Sequence, residues 1–251
     1  MSSRETTRYT LVGTPFSTFT RTIALTLLYK SLDFTQIKVY PHSEEAKTAH
    51  PFGIIPTLII EESKGVDDGK EGYEDNSVKL CETQAIIRYI DRIKPNPTLH
   101  YDEFSLGKGI LEEKMWEYVS FVSSYGFPTI EHGLVKPRLK HLESGLASDA
   151  ITPLLAHNIP QLHTFLSITE TVLPGSRSSY PKFMFTDTHP TYADFYLFPI
   201  LADLRPLPEW ISGVLEHEYG QRMNDWMDSM DGLDCVNRTK EGTLSAGVGI
   251  S

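Results

Sequence analysis

Tyr9–Val12 is a short apolar run closed by the turn residues Gly13, Thr14 and Pro15, the pattern of a strand and its exit. From Ser17 to Lys30, the residues Ile23, Leu25, Leu27 and Leu28 recur at helical spacing. Phe34–Tyr40 alternates as a strand does and stops at Pro41. Thr57–Ile60 and Ser77–Cys81 predict a third and a fourth strand. The Glu, Asp, Gly and Lys residues of Glu61–Asn76, between them, predict an exposed hairpin loop. A helix is expected over Glu82–Arg92, with Ala85, Ile86, Ile87, Tyr89 and Ile90 mostly apolar. The order is β-α-β, a helix, then β-β-α.

Lys94-Pro95-Asn96-Pro97-Thr98 interrupts this pattern, and helical periodicity takes over beyond it. Helices are predicted over about Phe104–Tyr125, Thr129–Glu143, Ile151–Leu173, Thr191–Leu204 and Glu209–Met230, with Pro137 and Pro160 bending or interrupting two of them. The Gly- and Ser-bearing tail, Asn237–Ser251, predicts poor order. The expectation is an α/β domain over 1–93, a linker over about 94–101 and an all-helical domain over 102–251.

Composition narrows the chemistry. The chain is 40% hydrophobic and 22% charged over 251 residues, enough apolar material for a substantial core. No run approaches the roughly 18 apolar residues of a membrane span. The polar start, Met1–Arg8, predicts no signal peptide and therefore a cytoplasmic address. A net charge of −10 without a basic run argues against nucleic acid as a partner. The nine histidines are scattered without H-E-x-x-H spacing, so no metal site is expected. Cys81 and Cys235 form no C-x-x-C pair and are expected as small buried apolar side chains.

Three stretches carry candidate chemistry. In His50-Pro51-Phe52-Gly53-Ile54-Ile55-Pro56-Thr57-Leu58, a proline stands at a strand entrance. An ordinary trans proline and a cis bond that turns the Ile55 backbone outward toward a peptide ligand both fit. Glu82 and Thr83 fall at a strand-to-helix junction, where Thr83 either caps the helix or joins its amides in holding a carboxylate; Glu82 is then exposed or takes an ammonium group. Ser17 heads the first helix, either as a plain N-cap or as a hydroxyl placed where helix dipole and hydrogen bond together favour a thiolate.

Taken together, Ser17-Thr18-Phe19-Thr20-Arg21, His50 through Pro56, and Leu80 through Ile90 resemble motifs of the thioredoxin-like N-terminal domain of cytosolic glutathione transferases, over roughly residues 8 to 93. The likeness is to phi-type plant enzymes and related fungal serine-type enzymes. Pro190-Thr191-Tyr192-Ala193-Asp194-Phe195 resembles the capping box that starts the core helix of their all-helical domain, with Thr191 and Asp194 in structural roles. The resemblance implies glutathione as co-substrate, no metal, and a homodimer.

Carried over by motif, Ser17 matches the serine that donates to the glutathione sulfur, and Ile55, before a structural Pro56, the residue whose backbone pairs with the cysteinyl unit. Glu82 and Thr83 match the groups that take the γ-glutamyl ammonium and carboxylate, and His42 stands near the basic residue that meets the glycyl carboxylate. Thr14, Thr18 and Thr20 are rival hydroxyls, and Arg21 is expected to act structurally or electrostatically. Ile54 replaces a residue that is often polar. The implied function is conjugation of glutathione to small hydrophobic, aromatic electrophiles; the alternatives are a glutathione-dependent peroxidase and a ligandin-like binder. Phe16, Trp116, Phe121 and Tyr125 are the candidate electrophile wall, since Trp116 with Tyr125, and Tyr118 with Phe121 and Tyr125, have spacings compatible with shared helix faces.

Overall fold

The computed structural model describes residues 7–62, 77–101, 111–172 and 181–247. The chain divides into two compact units, Met1–Pro97 and Thr98–Ser251.

The first unit is a mixed four-stranded sheet with helices. Its strands are β1 (Thr7–Val12), β2 (Thr35–Ile37), β3 (Thr57–Glu62) and β4 (Val78–Cys81), in the order β2-β1-β3-β4. β1 runs parallel to β2 and antiparallel to β3, and β3 runs antiparallel to β4. The parallel pair needs a crossover, which α1 (Thr18–Tyr29) supplies; α2 (Glu44–Ala49) precedes β3 and α3 (Thr83–Ile93) follows β4. Leu11, Ile23, Leu25, Leu27, Leu58, Ile86, Ile87 and Ile90 are buried in its core. The strand expected over Phe34–Tyr40 is only three residues long, because after Ile37 the chain turns toward α2. The expected loop lies outside the described residues except Glu61 and Glu62, which extend β3.

Lys30 is a buried cation in this unit. It caps α1, and its Nζ donates to the carbonyls of Lys94 (2.8 Å), Pro95 (3.1 Å) and Pro97 (3.0 Å) and to Asp91 Oδ1 (3.1 Å). One ammonium group thus satisfies carbonyls just past the end of α3, where a helix leaves acceptors without partners.

The second unit is helical throughout its described residues. α4 (Leu111–Phe121) continues through π-helical turns at Val122–Gly126 and Pro128–Val135 into α5 (Lys136–Glu143). The two helices expected here are therefore one run, and Pro137 does not break it; wide turns come just before a residue that has no N–H to donate. Residues 104–110 of the first expected helix lie outside the described residues. α6 (Ser148–Leu155) and α7 (Ile159–Val172) are separated by a 3₁₀ turn just before Pro160. α8 (Tyr192–Leu204) is buried along its whole length.

Two further expectations fail in this unit. The helix predicted over Glu209–Met230 is a π-helical turn, Ile211–Leu215, a break, and α9 (Gly220–Asp231). A side chain at Gly220 would strike the carbonyls of Val214 and Leu215, so the chain folds back here against its own backbone. The tail is ordered as far as 247: α10 (Asp234–Arg238) and a 3₁₀ turn (Leu244–Ala246) bury Cys235, Val236, Thr243 and Leu244. Cys235 is buried as expected, and burial pushes its thiol up to about 12; Cys81 is only half-buried.

Asp194 organises the start of α8. Its carboxylate accepts from the amide and the hydroxyl of Thr191 (both 2.7 Å), completing the return half of the capping box, and from the Met184 amide and Trp226 Nε1 (both 2.8 Å). Elsewhere a fully buried Arg138 forms a two-pronged pair with Glu209 and donates to Ser148 Oγ (2.9 Å) and Thr152 Oγ1 (2.8 Å), tying α5 to α6.

Candidate functional site

Sheet register gathers the candidate residues of the first unit at one edge. Val12 is opposite Ile37 on β2 and Thr57 on β3, and Thr57 is opposite Cys81 on β4. The ends of β1, β2 and β4 and the start of β3 therefore lie in one row. The segments leaving that row carry Ser17 after β1, His42 after β2, Ile55 before β3, and Glu82 with Thr83 after β4.

Gly13 makes the first of these exits possible. Its φ of 152° suits glycine, a Cβ there would run into the Thr20 hydroxyl, and its amide bonds to the Ile37 carbonyl at 2.9 Å. The chain then turns through a Ser17 N–H bond to Thr14 O (3.0 Å) and enters α1. Ser17 is the N-cap: its Oγ accepts from the Thr20 amide at 3.3 Å and stays half-buried. The hydroxyl has spent a lone pair on the helix, so its proton remains to donate outward. Of the rival hydroxyls, Thr18 and Thr20 are buried, while Thr14 is half-buried and accepts from the Phe16 amide at 3.4 Å. Arg21 is buried in α1, and Phe16 is half-buried beside the turn.

The Ile55–Pro56 bond is cis. Neither the amide nor the carbonyl of Ile55 pairs with another backbone group among the described residues. Those groups stand beside the first residue of β3 as an open backbone edge. Ile54 is partly exposed.

Glu82, not Thr83, is the N-cap of α3, with φ 68° and ψ 118° and no capping bond from its side chain. The amides of the first turn of α3 thus lack a side-chain cap, and Thr83 is half-buried beside them. The Glu82 carboxyl is exposed. His42 is also exposed, in a positive-φ turn (66°), and its amide bonds to Gly53 O at 2.6 Å.

A further residue, His50, lies at this site. His50 heads the second motif and is only 3% exposed. Its Nδ1 accepts from the Phe52 amide at 3.0 Å, and its Nε2 lies 3.9 Å from Glu82 Oε1. The signal available in the sequence was its place at the head of the motif.

In the helical unit, the three aromatic candidates Trp116, Phe121 and Tyr125 separate. Phe121 and Tyr125 (rings 5.9 Å apart) line an apolar cavity of about 350 Å³ with Thr129, Gln161, Phe165 and Ile168. Trp116 stacks on Tyr192 (5.4 Å, 26°) and donates to Glu112 at 2.7 Å, and His100 Nδ1 also meets Glu112 at 2.6 Å. Burial works to raise the pKa of Glu112, but these partners hold it below the usual carboxylate value. Tyr118 is fully buried, its hydroxyl 3.2 Å from Thr169 Oγ1.

Among the described residues, no cluster of three or more His, Cys, Asp or Glu side chains is arranged to hold a metal ion, and no helix is long and apolar enough to cross a membrane.

Residues 11–98 match the family model of the glutathione S-transferase N-terminal domain. No curated protein matches the chain in sequence. Among solved structures, glutathione transferase F7 from Populus trichocarpa superposes with a TM-score of 0.66 at 24% identity, over 93% of this chain and 98% of that one. FzlA from C. crescentus gives 0.68 at 17%, over 92% and 91%. Glutathione S-transferase III in its apo form gives 0.64 at 23%, over 92% and 95%. At these identities the likeness is one of fold. The architecture is that of glutathione transferases: a thioredoxin-like α/β domain followed by a helical domain.

Proposed function

We propose that the protein is a glutathione transferase of the serine type, which holds glutathione as a thiolate at Ser17 and conjugates it to small hydrophobic, aromatic electrophiles. The observation that carries this reading is the order of groups along the sheet edge. Following the strand order β2-β1-β3-β4, the edge offers His42, the Ser17 hydroxyl, the open backbone of Ile55, and then Glu82 with Thr83. That is the order of a glycyl carboxylate, a sulfur and cysteinyl backbone, and a γ-glutamyl head. Three inter-strand gaps of ~4.8 Å span about 14 Å, the reach of an extended tripeptide with a side-chain linkage.

The energetics close without a general base. A free thiol titrates near ~8.5, and lowering it by about two units requires ~2.7 kcal/mol in favour of the thiolate. A hydroxyl bond to a charged acceptor supplies ~1.5–3 kcal/mol and a helix N-terminus ~0.3–1. Glutathione is then the nucleophile, and the protein activates and positions it. The apolar lining of the cavity at Phe121 and Tyr125 supports a hydrophobic, aromatic second substrate. Trp116 stacks on Tyr192 and is not part of that lining, and a cytoplasmic homodimer is the assembly this reading carries with it.

The test is conjugation of glutathione to a chlorodinitrobenzene by the native protein and by Ser17→Ala. The variant should lose about 10- to 100-fold in rate, the worth of one charge-assisted hydrogen bond, while still binding glutathione. Retained activity would move the thiolate to Thr14. Glutathione binding without conjugation by the native protein would turn the reading toward peroxidase or carrier.

A further inference from the structure

We infer that His50 is a positioning residue of the glutathione site, one that aims the Glu82 carboxylate at the γ-glutamyl ammonium group. This rests on the reading of the sheet edge given above and adds a residue to it.

The argument begins with the tautomer. Nδ1 of His50 accepts from the Phe52 amide (3.0 Å), so it bears no proton and the neutral ring carries its hydrogen on Nε2. That N–H is on the side of the ring facing Glu82 Oε1, 3.9 Å away. The ring has little freedom to turn elsewhere, since it is 3% exposed. Its backbone is held as well: the His50 amide bonds to Ala46 O (2.8 Å), and its carbonyl accepts from Gly53 N (2.9 Å).

The contact ends a series that docks the exit of α2 along β4. Lys79 Nζ donates to Thr48 O at 3.2 Å, Cys81 Sγ lies 3.9 Å from Ala49 O, and His50 meets Glu82. Glu82 itself needs such a partner. Its carboxyl is 74% exposed and forms no capping bond, so nothing on its own helix fixes its direction. An imidazole N–H near one carboxylate oxygen leaves the other oxygen for an incoming ammonium group. The same histidine holds the turn whose Gly53 carbonyl receives the His42 amide (2.6 Å), so one buried ring supports both ends of the proposed tripeptide site.

His50→Asn separates the two roles. The asparagine oxygen can take over acceptance from the Phe52 amide, as in an Asx turn, but no donor reaches Glu82. Binding of glutathione and of glutaryl-cysteinyl-glycine, the analogue lacking the γ-glutamyl amino group, is measured by calorimetry on the full chain. The native protein should prefer glutathione, and His50→Asn should cut that preference by about three- to five-fold, the scale of a partly exposed charge contact. The analogue's own affinity should fall less than that of glutathione. Glu82→Gln should remove the same preference, and adding His50→Asn to it should change nothing further. His50→Gln, whose amide can place a donor near the Nε2 position, should keep the preference.

An undiminished preference in His50→Asn, or full additivity with Glu82→Gln, overturns the inference. Loss of folding in both His50 variants also overturns it, in favour of a purely structural histidine. A native protein that binds neither ligand refutes the glutathione site itself, an outcome distinct from the others.

Discussion

Replacing Lys30 with methionine isolates what a single buried cation contributes to the first unit. The substitution keeps most of the aliphatic stem and removes an ammonium group at 0% side-chain exposure that serves four acceptors. Each such bond is worth ~1.5–3 kcal/mol. The gross sum overstates the loss, because Lys94, Pro95 and Pro97 are exposed and water can reach their carbonyls. Asp91 is likewise 22% exposed and can rehydrate. The desolvation cost of the ammonium is also recovered, leaving a net loss of about 3 kcal/mol. For a chain of this length that corresponds to a fall of roughly 6–12 °C in Tm. The assay must report on the right unit: Trp116, Trp210 and Trp226 all lie in the second one, so hydrogen exchange at residues 90–97 is the measurement. Burial lowers the pKa of Lys30 against the raising pull of Asp91. Between that lowered value and 10.5 the unfolded chain binds more protons than the folded one, so stability should rise with pH across this window, and Lys30→Met should flatten the rise. Unchanged exchange over 90–97, with a Tm within about 2 °C of native, would refute the account.

Two further substitutions probe the helical unit. Glu131 is 1% exposed with Oε1 unpartnered among the described residues, and burial, then the charge of Asp203, pushes it up to about 8. Between 4.5 and about 8 the folded state holds a proton that the unfolded state releases, so stability should fall as pH rises through that range. Glu131→Gln should remove the decline in urea midpoints between about pH 5 and about pH 8, and an unchanged slope would count against the shift. Asp194→Ala leaves the Met184 amide, the Trp226 indole and the Thr191 amide and hydroxyl without their acceptor, at about 3–5 kcal/mol. The variant should lose the near-UV signal of Trp226 or fail to fold; a soluble protein melting within about 5 °C of native would refute that network's role.

What the sequence disclosed and what it concealed differ by range. Ser17 as an N-cap, Thr191 with Asp194, and the turn at Gly13 follow from rules acting over three or four residues, and each is present. His50 and Lys30 escaped notice because their roles depend on partners 32 and 61 to 67 positions away. In sequence, Lys30 is an ordinary lysine at a helix end. Phe121 and Tyr125 do share a face, but the pairing of Trp116 with Tyr125 fails for another reason. At ~3.6 residues per turn, Trp116 and Tyr125 fall on opposite sides of a helix, and π-helical turns after Phe121 change the angular step again. Trp116 therefore joins Tyr192, while Tyr125 lines the cavity. The break before α9 depends on Gly220 meeting backbone from the preceding turn, and the order of the tail on burial of Val236 and Leu244; neither leaves a local mark.

Helices α1, α2 and α3 of the first unit bear on the proposed site through the acids that two of them lack. Acidic side chains in a first turn stabilise a helix by ~0.3–1 kcal/mol each, so their absence forgoes free stability. α2 takes that stabilisation, with Glu44 and Glu45 in its first turn and Ser43 as a hydroxyl cap. α1 and α3 have no acid in their first turns. These are the two helix starts to which the proposed site assigns the sulfur and the γ-glutamyl head, at Ser17 and at Glu82–Thr83. An acid within either first turn would cancel the field that favours a bound anion and would repel it directly. The pattern is what a chain needs if one helix start receives a thiolate and the other a carboxylate. The single acid at these junctions, Glu82, sits at the cap rather than in the turn, with its carboxyl exposed and a buried imidazole behind it. A negative charge so placed attracts the ammonium of an amino-acid head while the amides beside it take the carboxylate. A zwitterionic end group and an anionic sulfur, about two strand spacings apart, are the features a ligand must have to use both helix starts at once.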